Sequence, residues 1–76
     1  MQYLYMYNNE DLTFQYVKGI LLREVFILPI QAEQCCVIAH NTGKCLIKEG
    51  DIIDLIKIKE SLERSKITVE ITNEKL

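Results

Sequence analysis

The chain alternates along Met1–Asn8, so a strand is predicted there with Tyr3, Tyr5 and Tyr7 on one side and Gln2, Leu4 and Met6 on the other. Asn8-Asn9-Glu10-Asp11 is a polar turn. Leu12–Lys18 contains Thr13, Phe14, Tyr16 and Val17, which favour a second strand and an N-terminal hairpin. Gly19 then interrupts the pattern, as at a bulge or bend. Ile20–Ile30 has the length of a helix, but Ile20, Val25, Phe26, Ile27 and Pro29 tip the reading toward a long strand buried on both faces. A short polar connection, Gln31–Gln34, follows.

A second hairpin is expected over Gln34–Lys48, turning at Asn41-Thr42-Gly43 with Gly43 in the left-handed region. That register pairs His40 with Lys44, Ala39 with Cys45 and Val37 with Ile47. Asp51 is a suitable N-cap, and Asp54 suits the positive end of a helix dipole, so a helix is predicted from Asp51 to about Arg64. A strand over Leu55–Glu60 is its rival, because Ile56-Lys57-Ile58-Lys59 alternates. Lys66–Thr72 alternates as a strand with one wet face, and Asn73–Leu76 reads as a frayed tail. The expected fold is α+β: a mainly antiparallel sheet of four or five strands with one helix near the C-terminus, as a single compact domain over residues 1–76.

Composition agrees with a folded chain. Of the 76 residues, 49% are hydrophobic and 26% charged, with 1 Pro and 3 Gly, which argues against disorder. The apolar content, rich in Ile and Leu, is high for a domain this small, where one core gives limited support. Self-association into a homo-oligomer is therefore expected. The net charge of −2 gives no electrostatic footprint for duplex DNA. No apolar run reaches the roughly 20 residues a membrane span needs, and Met1–Tyr7 lacks the basic start of a secretory signal. Three cysteines, an odd number, point to reduced thiols rather than a disulfide framework. The expectation is a cytoplasmic protein with no membrane partner.

Candidate chemistry is sparse. Cys35, Cys36, His40 and Cys45 are zinc-type ligands, but their spacing is not that of a zinc site, and small buried hydrophobes account for the cysteines. His40 beside a cysteine suggests a nucleophile and base, but so short a chain has little material for a substrate pocket. Gly43-Lys44 lacks the other residues of a phosphate loop. Asp51 and Asp54 are explained by a helix start. These considerations give no catalytic residue, no metal and no cofactor.

The aromatics are the most informative feature, because five of six fall by residue 16. Tyr3, Tyr5 and Tyr7 on one strand, with Phe14 and Tyr16 on the next, would form an aromatic face. Such a face serves as a core edge, a protein interface or a platform for unpaired bases. Lys18 is the only cation in that hairpin, so a nucleic-acid partner is disfavoured. The functional expectation is a small non-enzymatic protein-binding module, a regulator or inhibitor of the kind common among accessory and phage-encoded genes. Its binding residues would be Tyr3, Tyr5, Tyr7, Phe14 and Tyr16. The alternative is a small RNA- or single-strand-binding domain using the same face.

Overall fold

The computed structural model describes residues 1–75. Its elements run β1 (Gln2–Tyr7), α1 (Phe14–Glu24), α2 (Pro29–Thr42), β2 (Lys44–Gly50), α3 (Ile52–Arg64) and β3 (Val69–Thr72). The three strands form one antiparallel sheet in the order β2-β1-β3. The first strand is therefore central, and both its partners come from later in the chain. Residue 76, the last of the expected tail, lies outside the described residues.

The α+β class holds, but the expected four or five strands with one helix do not: the described residues form three strands and three helices. The expected strands at Leu12–Lys18 and Ile20–Ile30 are replaced mainly by α1. Thr13 caps it, its Oγ1 accepting from the Tyr16 N–H at 3.1 Å, and Val17, Ile20 and Leu21 then bury one side at helical spacing. Burying that stripe outweighs the β preference of the aromatic and branched residues.

The first half of the expected second hairpin is α2. Pro29 occupies its first turn, and the Gln31 side-chain oxygen accepts from the Leu28 N–H at 3.1 Å. Gly43 ends the helix at φ +96°, its N–H donating to the Ala39 carbonyl at 2.8 Å. The left-handed glycine is present, but as a helix terminator rather than part of a hairpin turn. β2 pairs with β1, so the predicted pairs of residues 37–40 with 44–47 do not exist.

The sequence reading matches elsewhere. β1 and β3 lie within their expected segments, and α3 starts after Asp51. Its buried face is Leu55 and Leu62, with Ile58 partly buried, while Ile52 and Ile56 are exposed. The helix ends in a paired C-terminal motif: Lys66 N–H donates to the Glu63 carbonyl (2.9 Å), and Ile67 N–H to that of Leu62 (3.1 Å).

The core collects Leu4 and Met6 from β1, Cys45 and Ile47 from β2, and Val69 from β3, together with side chains of all three helices. Ala32, Cys36 and Ala39 give α2 a small-residue buried stripe, which lets it lie close to α1 and β2. Alternation along β1 sends Tyr3, Tyr5 and Tyr7 to the opposite face of the sheet. Among the described residues, no helix is long and apolar enough to cross a membrane.

Candidate binding site

A pocket of about 570 Å³ opens at the end of the sheet where β1 gives way to the loop before α1. The volume lies in the range of small-ligand and side-chain sites, roughly 300–1,000 Å³. Met6, Leu12, Phe14, Val17, Cys36, Ala39 and Ile67 supply its apolar wall. Tyr7, Asn8, Asn9, Glu10 and His40 complete the lining.

Backbone bonds position this polar side. The Tyr7 N–H donates to the Thr68 carbonyl (3.0 Å) and the Asn8 N–H to the Gly43 carbonyl (2.9 Å). The strand end is thus tied both to the approach to β3 and to the end of α2. The Leu12 N–H closes the loop on the Asn9 carbonyl at 3.2 Å. Asn9 Nδ2 donates to the Lys66 carbonyl at 2.8 Å, which orients the amide and leaves Oδ1 to accept. His40 arrives from the last turn of α2, whose pitch carries Cys36, Ala39 and His40 to the same opening.

The electrostatics are one-sided. Glu10 is exposed and is the one carboxylate among the described lining residues; no Lys or Arg is among them. A ligand suited to the opening has a bulky apolar group next to a hydrogen-bond donor, preferably cationic.

The expected aromatic face is only partly assembled. Tyr3, Tyr5 and Tyr7 share one side of β1, while Phe14 and Tyr16 are on α1 rather than on a neighbouring strand. Phe14 forms part of the pocket wall. Tyr16 donates its hydroxyl to the Ser65 carbonyl at 3.2 Å, bracing α1 against the end of α3. Tyr5 lies between Leu46 and Glu70 on the flanking strands and is 4% exposed, with Lys44 Nζ 5.9 Å from its ring centre. Tyr7 donates to Glu70, and that acceptor, together with some burial and the carboxylate charge, raises its phenol pKa above the usual 10.0.

The sequence reading did not single out Asn8, Asn9, Glu10 or Leu12 as a site, because a polar turn is normally only a turn. The usable signal was the helix grammar around them. Thr13 as N-cap and Pro29 with Gly43 as start and stop would have placed Phe14, Cys36 and His40 on helices facing that turn. Among the described residues, no group of three or more His, Cys, Asp or Glu side chains is arranged to hold a metal ion. No protein-family model matches the chain, and no curated protein is significantly similar to it.

Proposed function

We propose that this chain is a small protein-binding module, a binder rather than a catalyst. It takes a bulky apolar residue of a partner polypeptide into the pocket beside Phe14 and Ala39. The observation that carries the reading is the pairing of an apolar wall with an opening whose described lining offers amide acceptors and the Glu10 carboxylate but no Lys or Arg. A polypeptide's first residue places a side chain and an ammonium group on one carbon, which matches that pairing. In this arrangement Asn8, Asn9 and Glu10 receive the amino group, and His40 lies beside the backbone that follows. Capturing another protein in this way suits a regulator or inhibitor.

The tyrosines of β1 are then less suited to direct capture than Phe14. Tyr5, at 4% exposure, has no free ring face on which to stack a base, and this weakens the nucleic-acid alternative. Phe26, Leu28 and Ile30 leave apolar surface around the α1–α2 connection, at 86%, 63% and 57% exposure, which supports self-association.

Labelled peptides beginning with Phe, Leu, Gly or Lys, each with a free or acetylated amino terminus, test the reading by fluorescence anisotropy. Binding should be confined to the unblocked Phe and Leu peptides. Glu10→Gln and Phe14→Ala should each weaken it at least tenfold while keeping the fold. Equal binding of acetylated and free peptides would refute the amino-group contact, and binding of none would refute the peptide site. Solution mass measured across a range of concentrations tests self-association separately.

A further inference from the structure

We propose that Cys35 and Cys45 form a peroxide-responsive thiol pair that closes into a disulfide between α2 and β2. The inference stands apart from the peptide-binding reading. Gly43 folds the end of α2 back onto β2, so residues ten apart in sequence meet across two elements. The two thiols lie close enough to shift each other's acidity in opposite directions. Both sulfurs also converge on the Leu46 carbonyl oxygen, Cys35 at 3.9 Å and Cys45 at 3.4 Å. Cys36 is excluded by helical geometry: one residue further along α2, its side chain turns to the pocket wall.

The two partners have different chemistry. Cys35 is half-buried and so open to a small oxidant, and its interaction with the Cys45 thiol lowers its pKa to about 7. Cys45 is buried and its pKa is raised, first by its interaction with Cys35 and then by burial. Burial, the largest influence on Cys36, raises its pKa too. The difference in exposure makes Cys35 the thiol that meets the oxidant and Cys45 the resolving thiol.

Hydrogen peroxide is the oxidant. The Cys35 sulfur attacks one peroxide oxygen, the O–O bond breaks, and the departing hydroxide takes a proton to become water, leaving a sulfenic acid. The Cys45 sulfur then attacks the Cys35 sulfur. An S–S bond forms, the S–O bond breaks, and the Cys45 proton leaves with the hydroxyl as a second water. The two thiols together lose two electrons, and one peroxide is reduced to two waters.

The test is peroxide treatment of the whole chain at equimolar oxidant, followed by intact-mass measurement and tryptic mapping without reductant. The expected product is a monomer lighter by two hydrogens and restored by dithiothreitol. Cleavage after Lys44 should leave segment 24–44 disulfide-linked to segment 45–48. Cys36→Ser should form the same link, and Cys45→Ser should instead accumulate a Cys35 sulfenic acid trapped by dimedone. In the wild-type chain, the rate should rise as pH passes through about 7. Loss of the link in Cys36→Ser, intermolecular disulfides alone, or over-oxidation of Cys35 without a link in the wild-type chain would overturn the proposal. The wild-type and Cys36→Ser maps decide it even if Cys45→Ser does not fold.

Discussion

The Tyr7 hydroxyl donates to Glu70 Oε1 at 2.5 Å, joining β1 to β3 across a diagonal of the sheet. Because the acceptor is a carboxylate, the neutral phenol is favoured in the folded chain and its pKa is raised. The stabilisation is therefore full below pH 10.0 and is lost as pH rises through the folded-state pKa. In an alkaline absorbance titration, Glu70→Gln should move one tyrosine to lower pH. Tyr7→Phe should remove the late-titrating component.

Tyr5 and Tyr3 share a strand face but not an environment: Tyr5 is buried between β2 and β3, and Tyr3 is partly exposed. Tyr5→Ala should cost about 3–5 kcal/mol, as for other truncations of large buried aromatics. Tyr3→Ala should cost clearly less. Urea melts of the two variants, run beside peptide binding, also show whether Tyr5 supports the sheet without touching the ligand.

Gly43 ends α2 with φ at +96°, and an added Cβ there meets no atom within 4 Å. A clash at Cβ therefore adds nothing to the backbone strain of substitution. Gly43→Val should lie toward the upper end of about 1–3 kcal/mol, because a branched side chain resists the left-handed region. Gly43→Asn should lie toward the lower end. Thermal denaturation of both variants measures the difference.

Lys66 holds φ +68° in the position that glycine usually takes after a helix. Its backbone carbonyl anchors Asn9, and that bond does not depend on the lysine side chain. Lys66→Gly should raise stability by about 0.5–1 kcal/mol, the strain relieved less the extra freedom of glycine in the unfolded chain. A higher urea midpoint with an unchanged slope is the expected result.

These positions show what the sequence made legible. β1 and β3 each show a clear period of two, and in α3 the Asp51 start decides against the rival alternation at Ile56–Lys59. Across residues 12–42 propensity and burial disagree. Tyr16, Val17, Ile20, Val37 and Ile38 all favour strands, and Gly19 within α1 costs about 1 kcal/mol relative to Ala. Long-range packing decides the outcome, because a helix brings Val17, Ile20 and Leu21 to one core. The pocket depended on that outcome. With Phe14 and His40 read as strand residues, nothing placed either of them beside Asn8 and Glu10.

The central place of β1 orders the folding of the chain. Its neighbours begin only at Lys44 and Val69, so neither sheet contact is local, whereas α1 and α2 can form from residues close in sequence. Synthesis delivers β1 first, β2 next and β3 last, so the edge that β3 covers is the last whose partner is made. Until Val69–Thr72 arrives, that edge can template a strand from another molecule, and the growing chain is most exposed to aggregation in this interval.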